Sequence, residues 1–220
     1  MKAMILAAGR GERMRPLTDI TPKPLLPAGG KPLIVWMIQA LARAGIAEIV
    51  INVSHLGGQI ERALGDGRRW NVRIDYSREA RALGTAGGIA TALPLLGREP
   101  FIVANGDIYT DFDFNRLQRE RLSLAHLVLV DNPSHHPAGD FGLAGSGLAN
   151  EREPRYTFSG IGVYQSELFA SVAAGTHHEL AALLKPQIAA ERVTAERYPG
   201  RWFDVGTPER LTALDQLLRG

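Results

Sequence analysis

The first 130 residues alternate short apolar runs with amphipathic segments, and this alternation constrains the fold more than any other feature of the chain. Strand-like runs cover residues 3–7, 48–53, 72–76, 101–104 and 126–130. Helical patterns cover residues 33–44, 59–64, 86–93 and 115–121. Strands that alternate with helices are typical of βαβ units. We therefore predict an α/β fold, with a Rossmann-like, mixed and mostly parallel sheet flanked by helices.

The pattern changes after residue 130. Residues 131–153 are rich in Gly, Pro and His and predict a loop with at most short edge strands. Residues 156–164 alternate like a strand, 179–191 predict a helix, and 201–205 predict a last strand. Thr207 and Pro208 are typical of an N-cap and first turn, so they predict a final helix.

The chain length suits one large domain. With 220 residues and 45% hydrophobic residues, the chain can bury a sizeable core, and we find no linker or internal repeat. We predict a single domain over residues 1–220, in which residues 1–130 mainly bind a nucleotide and residues 131–220 mainly bind a sugar.

Composition excludes several classes of function. The chain has no cysteine, and its net charge of +2 comes without a long basic run, so neither a thiolate site nor a nucleic-acid stripe is expected. No apolar segment reaches the roughly 18 residues of a membrane span, and the start is too short for a signal-peptide core. We expect a cytoplasmic protein that binds neither nucleic acid nor membrane.

A glycine loop follows the first predicted strand. Gly9 and Gly11 allow main-chain N–H groups to approach an anion, and nearby arginines, Arg13 among them, can neutralise phosphate oxygens. Lys23 lies between Pro22 and Pro24, which restrict the backbone around it. This layout predicts a triphosphate site; a basic surface turn is the alternative.

Two better-known glycine loops do not fit. A dinucleotide fingerprint requires a third glycine where the chain has Met14. A P-loop requires Ser or Thr after Gly-Lys, whereas Gly30 and Lys31 are followed by Pro32.

Two aspartates end predicted strands. Asp107 follows the apolar run 101–104, and Asp204 follows Trp202 and Phe203 near the end of the run 201–205. Each alone is explained by a turn or a helix entry, but two carboxylates at one sheet edge can hold a Mg²⁺ ion together with phosphate oxygens. Asp111 and Asp113 are expected to face solvent or cap the next helix.

Small residues and histidines allow more than one interpretation. The run Gly84 to Gly88 either lets a nucleobase approach the backbone or packs a helix closely on the sheet. His135 and His136 lack metal-site spacing and are interpreted as loop or cap residues, as is the pair His177 and His178.

The combined motifs resemble the nucleotidyltransferases that make nucleoside-diphosphate sugars, along essentially the whole chain. The matching segments are residues 6–18, 22–25, 83–88, 105–107 and 204–207. Within that family the chain is most similar to the bacterial enzymes that act on N-acetylmuramate 1-phosphate in cell-wall recycling. The matching features there include Glu12 and residues 111–114, 126–133, 139–141 and 158–161.

The resemblance implies an activity and a set of site residues. UTP and a sugar 1-phosphate would be the substrates, with UDP-N-acetylmuramate and pyrophosphate as products and Mg²⁺ as cofactor. The implied catalytic residues are Arg13, Lys23 and Asp107. The implied nucleotide-binding residues are Ala7, Gly9, Gly11, Glu12, Arg13, Lys23, Gly84 and Thr85. The implied sugar-phosphate residues are Asn105, Asp140 and Gly160, and the implied metal ligands are Asp107 and Asp204.

Alternatives stay open at this point. One is a guanylyl- or thymidylyltransferase for mannose or glucose 1-phosphate, although the Glu-Lys-Pro signature of many such relatives is absent. Another is a non-catalytic regulatory subunit that binds a nucleotide sugar. The run Gly84 to Gly87 also differs from the Glu-Thr-Gly-Gly that is frequent in the muramate enzymes. Either a monomer or a homodimer is compatible with the sequence. Arg155, Arg201 and residues 135–140 are candidates to bind the lactyl carboxylate of the sugar.

Overall fold

The computed structural model describes residues 1–119, 123–145 and 147–220. Six α-helices are found within these ranges: α1 (Leu17–Ile20), α2 (Leu33–Arg43), α3 (Gly57–Leu64), α4 (Gly84–Leu96), α5 (Leu180–Ala189) and α6 (Pro208–Arg219). The strands of the first half are β1 (Lys2–Leu6), β2 (Pro27–Ala28), β3 (Lys31–Pro32), β4 (Glu48–Val53), β5 (Arg73–Arg78), β6 (Phe101–Asn105) and β7 (Ile108–Thr110). Those of the second half are β8 (Ala125–Val130), β9 (Phe141–Leu143), β10 (Ala149–Asn150), β11 (Arg155–Tyr164), β12 (Val193–Arg197) and β13 (Trp202–Asp204).

The central sheet is mixed. Its main path runs β10-β9-β11-β6-β1-β4-β5, and β8 joins it through β11 with β12 beside β8. The strands β6, β1, β4 and β5 are parallel, whereas β11 runs antiparallel to β6 and β8. The α/β class with helices on both faces is confirmed.

Strands β1, β6 and β8 are buried on both faces, as their continuous apolar runs predict. Ala3 and Ile5 of β1 belong to the same core cluster as Ile38 of α2, whereas Met4 of β1 packs in a second cluster with Ile89 of α4. Alternate residues of a strand point to opposite faces, so this register places α2 and α4 on opposite sides of the sheet. The carboxyl ends of β1 and β6 are left open between them.

A third core cluster fixes the last helix against the glycine loop. Met14 of that loop is buried with Leu33, Val205 and Leu214, the last of which belongs to α6. Thr207 caps α6, since its Oγ1 accepts from the main-chain N–H of Arg210 at 3.4 Å. This packing holds the start of α6 beside the loop although the two are far apart in sequence.

The predicted strand before α6 is formed, but not in the central sheet. Trp202–Asp204 pairs antiparallel with Ile108–Thr110 to make a separate two-stranded ribbon. The prediction that Asp107 and Asp204 end strands at one edge of the same sheet is therefore wrong. Gly106 and Asp107 form a turn between β6 and β7, so the ribbon leaves the central sheet at this point.

Most predicted elements are found at nearly the predicted bounds. The helix predicted over 115–121 is reduced to a single 3-10 turn at Leu117–Arg119, and its residues 120–121 lie outside the described part of the chain. Residues 131–153 form a loop with the two short strands β9 and β10, as predicted for the part of it that is described.

Candidate functional site

A cavity of about 400 Å³ opens at the carboxyl ends of β1 and β6; we call it the loop cavity because the glycine loop forms one wall. Every residue that the resemblance assigns to nucleotide binding lines it, namely Ala7, Gly9, Gly11, Glu12, Arg13, Lys23, Gly84 and Thr85. Asn105 and Asp107 also line it, from the end of β6 and the turn that follows. The structure thus brings the predicted nucleotide-binding residues and the residues that follow β6 together around one cavity.

The loop takes a shape that requires glycine. Gly11 has φ 68°, in the left-handed region, and a Cβ built on it would lie 2.9 Å from Cγ2 of buried Thr18. The Thr18 hydroxyl donates to the carbonyl of Gly11 at 2.9 Å. This bond fixes the loop to α1, and the loop residues line the cavity.

The loop arginines differ in what they contact. Arg10 pairs with Glu12 at 3.2 Å, and Arg15 pairs with Asp19 at 2.7 Å; both lie on the surface. Within the described ranges, no carboxylate pairs with Arg13, which lines the cavity. Arg13 is therefore the loop cation that is available to a phosphate.

Lys23 and Asp107 form an ion pair inside the loop cavity. The Lys23 ammonium contacts Oδ2 of Asp107, and the lysine side chain is largely buried. Lys23 begins a 3-10 turn at Lys23–Leu25, which holds its backbone against the loop. Both groups face the cavity, so their ion pair can open when a substrate binds. Lys23 can then bind a phosphate, and Asp107 can bind the cation that accompanies it.

Asp204 approaches Asp107 through the ribbon. Asp204 is in register with Ile108, and the N–H of Val205 donates to the carbonyl of Asp107 at 3.0 Å. The Asp204 carboxylate itself is held by Arg210, with Nη1 to Oδ2 at 2.5 Å, and by His135, with Nε2 to Oδ1 at 3.0 Å. The ribbon thus provides the proximity that the predicted common sheet edge does not.

His135 and His136 lie in a loop, as predicted, but that loop is held by contacts that the sequence does not show. His135 contacts Asp204, and Nε2 of His136 lies 3.1 Å from Oδ1 of Asp140. The loop folds back over the ribbon and β11, a long-range contact that no spacing in the sequence shows. Asp111, expected to face solvent or cap a helix, is exposed and accepts from the N–H of Arg201 at 2.8 Å.

A buried polar network closes the far wall of the loop cavity, and sequence reasoning missed it. The N–H of Ala7 donates to Oδ1 of Asn52 at 2.8 Å, and Asn52 donates to Oε1 of Glu79 at 2.7 Å. Oε2 of Glu79 accepts from the N–H of Leu83 at 3.1 Å. Burial raises the pKa of Glu79 above its usual range. The available signal was an acidic residue four positions before Leu83, at the start of the small-residue run.

The close-packing interpretation of the small-residue run is confirmed at Gly88. A Cβ on Gly88 would lie 2.7 Å from Oε1 of Glu79 and 2.9 Å from Nδ2 of Asn52, so close packing requires this glycine. Gly84 and Thr85 instead line the cavity at the start of α4. Backbone recognition of a base at Gly84 and Thr85 stays a prediction.

A second cavity of about 240 Å³ lies beside the first, and we call it the strand cavity because β6, β9 and β11 line it with α5. Asn105, Asp140 and Gly160, the predicted sugar-phosphate residues, all line it. Asn105 and Glu179 line both cavities, so the two spaces adjoin. A ligand group in one is in reach of a group in the other.

Local backbone features shape the strand cavity. Gly160 has φ 78° at a bulge in β11, and a Cβ there would overlap the side-chain amide of Asn105. Asp140 is fixed because its Oδ2 accepts from the N–H of Phe158 at 2.8 Å. The rest of the wall of the strand cavity is largely apolar and includes Phe141, Leu180 and Tyr164.

The residues expected to bind a lactyl carboxylate are only partly near this cavity. Among the residues that the structure describes, no lysine, arginine or histidine lines it. Arg155 pairs with Glu153 at 3.4 Å, and Arg201 is exposed. His136, through its contact with Asp140, is the candidate that the fold brings to its edge.

Asp107 and Asp204 are the two residues predicted to bind a metal ion. Over the described ranges, no cluster of three or more His, Asp or Glu side chains could hold a metal ion. The protein therefore offers a pair of carboxylates and not a complete cage, which matches Mg²⁺ bound partly by substrate phosphates.

No described helix has both the length and the apolar character that a membrane span needs.

Comparison with known proteins defines the class. The family model described as nucleotidyl transferase matches residues 2–219, and the chain belongs to that family. It is 52% identical to the N-acetylmuramate alpha-1-phosphate uridylyltransferase of Neisseria meningitidis serogroup B, over 96% of this chain and 95% of that protein. It is 30% identical to a UTP-glucose-1-phosphate uridylyltransferase of Synechocystis, over 94% of this chain and 60% of that protein.

Solved structures agree on the fold. A Bacillus anthracis protein described as a glucose-1-phosphate thymidylyltransferase superposes with a TM-score of 0.87 at 24% identity, covering 100% of this chain and 95% of that one. HddC of Yersinia pseudotuberculosis superposes with a TM-score of 0.81 at 21% identity, covering 98% of both chains. The mixed sheet with its flanking helices is thus the nucleotide-diphospho-sugar transferase fold.

Proposed function

We propose that this protein transfers a uridylyl group from UTP to N-acetylmuramate 1-phosphate, which yields UDP-N-acetylmuramate and pyrophosphate. The single observation that carries the proposal is the 52% identity, over nearly the full length of both chains, to a protein that bears this activity in its name. The mannose-1-phosphate guanyltransferases of Xenopus laevis and Aspergillus fumigatus align with only about half of this chain. The geometry of the two cavities supports the same proposal.

The two cavities divide the substrates between them. UTP occupies the loop cavity, with its phosphates on Gly9, Gly11 and Arg13 and its base near Gly84 and Thr85. The sugar occupies the strand cavity, with hydroxyl or amide groups on Asn105 and Asp140. The sugar phosphate then meets the α-phosphate where the two cavities adjoin, near Asn105. This division agrees with the predicted nucleotide half and sugar half of a single domain.

The chain's own groups promote the reaction by position and charge. A sugar-phosphate oxygen forms a bond to the α-phosphorus, and the bond to the bridging oxygen breaks in line, so that pyrophosphate leaves with that electron pair. Both reactants are anions, so bringing them together and neutralising their charge supplies most of the rate increase. Lys23 and Arg13 provide that positive charge. No strong general base is required, because a phosphate monoester is largely deprotonated near neutral pH.

The residues present fit a magnesium ion. Asp107, directly before one strand of the ribbon, and Asp204, at the end of the other, offer oxygen ligands and leave positions for phosphate oxygens. A bound Mg²⁺ would stabilise negative charge on the reacting phosphates. Lys23 and Arg210, which hold these two carboxylates in this structure, would then be available to other anions.

Recognition of the sugar has a chemical test. N-acetylmuramate carries a lactyl carboxylate that N-acetylglucosamine lacks, and a site that pairs with it leaves its donors unpaired when the group is missing. With UTP, kcat/KM for N-acetylmuramate 1-phosphate should exceed that for N-acetylglucosamine 1-phosphate by roughly 10². Pyrophosphate release would be measured across UTP, GTP, dTTP and ATP with both sugars and with glucose and mannose 1-phosphate.

The outcomes of that panel separate the candidate functions. Equal rates with the two acetamido sugars, or a preference for glucose or mannose 1-phosphate, would contradict the muramate specificity but not the transferase activity. A lack of pyrophosphate release with every pair would instead favour a regulatory subunit. The proposal includes a cytoplasmic location and either a monomer or a homodimer, which fractionation and light scattering would test.

A further inference from the structure

Arg210 pairs with Asp204 of the proposed metal site, and its guanidinium also extends beyond that pair towards the glycine loop. It is the third residue of α6, and its N–H is fixed by the Thr207 cap. Side chains of a helix lean towards its N-terminus, so the guanidinium extends back past the start of α6. A positive charge in the first turn is unfavourable beside the positive end of the helix dipole. Asp204 offsets part of this cost, and an anionic ligand beside the guanidinium would offset more of it.

Arg210 lines a separate cavity of about 410 Å³, together with His135 and Asp204, but its guanidinium also lies beside the loop cavity. Nη1 contacts Asp204 and His135, whereas Nη2 lies against the main chain of Gly206, which lines that cavity. A Cβ built on Gly206 would overlap this Nη2. Glycine at position 206 is therefore what allows Arg210 to approach the cavity.

Arg13 converges on the same point from the other side. The Cβ position of Gly206 lies 3.1 Å from Nη2 of Arg13, so the two guanidinium groups are close neighbours across this glycine. Their placement is maintained by the core contact of Met14 with Leu214, which ties the loop to α6. Two like charges repel each other unless an anion lies between or beside them.

We infer that Arg210, together with Arg13, binds the pyrophosphate end of the nucleotide and the pyrophosphate product. This inference rests on the proposed function. In-line attack requires the leaving group to lie opposite the sugar phosphate. The sugar side is marked by Asn105 and Asp140, and Gly206 lines only the loop cavity of the two. The two arginines thus lie where the leaving group accumulates charge.

The test compares affinity for inorganic pyrophosphate with affinity for the sugar substrate. In Arg210→Ala, the Kd for pyrophosphate by calorimetry and the KM for pyrophosphate in the reverse reaction should both rise about tenfold to a hundredfold, the range expected for a lost bond to a charged group. The KM for N-acetylmuramate 1-phosphate should stay within about twofold of wild type, because the arginine is not part of that site. Arg210→Lys should recover part of the loss.

Matched controls exclude a purely structural effect. Arg219→Gln removes another arginine of α6, one that pairs with Asp215 on the surface, and should change neither constant. Gly206→Ala keeps both arginines but displaces Arg210, and should weaken pyrophosphate binding in the same direction as Arg210→Ala. Thermal unfolding of each variant checks that it is folded.

Three results would overturn the inference. One is an unchanged pyrophosphate Kd in Arg210→Ala, which would show that the arginine only holds Asp204 in place. The second is an equal loss of affinity for pyrophosphate and for the sugar phosphate. The third is a loss for pyrophosphate that Arg219→Gln shares. Failure of the proposed function would give a different result, because the wild type would then make no UTP from UDP-N-acetylmuramate and pyrophosphate. Calorimetry would still measure whether Arg210 contributes to pyrophosphate binding.

Discussion

The loop cavity and the strand cavity are built in different ways. The loop cavity takes its anion-binding groups from a contiguous stretch of sequence, with Gly9, Gly11, Arg13 and Lys23 within 15 residues. The strand cavity takes its lining from distant parts of the chain, among them Asn105, Asp140, Gly160 and α5. Phosphate binding can be encoded locally because main-chain N–H groups and a few cations are sufficient. Selecting a sugar requires a shaped pocket, which only tertiary packing supplies.

The largest expected effect tests the catalytic end of the loop cavity. Asp107→Asn removes the carboxylate that contacts Lys23 and that is proposed to hold Mg²⁺. Turnover should fall by at least about 10³-fold, because charge on the reacting phosphates is no longer neutralised by a held metal. Steady-state pyrophosphate release would measure the change. Asp113→Asn, at an exposed turn, is the matched control, and a variant at position 107 that kept a tenth of wild-type turnover would contradict the assignment.

The next effect tests the buried cation. Lys23→Ala should lower kcat by about 10² to 10³, as expected when one charged donor to the transition state is lost. The exposed Lys185→Ala is its control and should behave as wild type. If Lys23→Ala retained more than about a third of wild-type kcat, the lysine would not stabilise the transition state.

The Glu79 network should affect binding of the nucleotide more than chemistry. Glu79→Gln turns one acceptor of the network into a donor, and it should raise the KM for UTP about tenfold while kcat changes little. The exposed Glu99→Gln serves as the control. Equal KM values for UTP in wild type and in Glu79→Gln would show that the network does not position the cavity wall.

The Glu79→Gln variant also tests a pH dependence of the free energy of unfolding. Burial raises the folded-state pKa of Glu79 above its unfolded value of about 4.3, so the folded protein binds this proton more tightly. The free energy of unfolding of wild type, relative to Glu79→Gln, should therefore be highest below the unfolded pKa and fall as pH rises through the folded pKa. Urea unfolding at several pH values measures it. A difference that rose over that range would mean that the pKa shift has the opposite sign.

The smallest expected effect concerns the strand cavity. His136→Ala removes the group that contacts Asp140, and it should reduce the preference for N-acetylmuramate over N-acetylglucosamine 1-phosphate by about threefold, since the contact is partly exposed. The second sugar acts as the internal control in parallel kcat/KM measurements. An unchanged ratio would leave the lactyl carboxylate to other groups and would weaken the link between Asp140 and specificity.

The sequence predicted much of the fold because each element has a local signal. Strand β4 is found at the predicted residues, and the Thr207 cap begins α6 as its composition indicates. The glycine loop was equally readable, since excluding two other loop types needed only Met14 and Pro32. Its residues do line one cavity, whereas their individual contacts with substrate stay predictions.

What the sequence did not reveal depends on long-range contacts. Nothing local shows that Trp202–Asp204 leaves the central sheet to pair with Ile108–Thr110, because a strand of three residues carries no signal for its partner. The contact of His135 with Asp204 and the Asn52 and Glu79 network likewise join segments far apart in the chain. These contacts surround the predicted motifs, so the sequence indicated the chemistry better than it indicated the residues that position it.

The most direct measurement follows the α-phosphorus of UTP. With α-labelled UTP, N-acetylmuramate 1-phosphate and Mg²⁺, the label should appear in a UDP-sugar that forms only when the sugar phosphate is present, and the released pyrophosphate should carry none. Substituting Asp107→Asn should abolish that product. Label that stayed in UTP or appeared in UMP at a rate independent of the sugar phosphate would contradict uridylyl transfer by this protein.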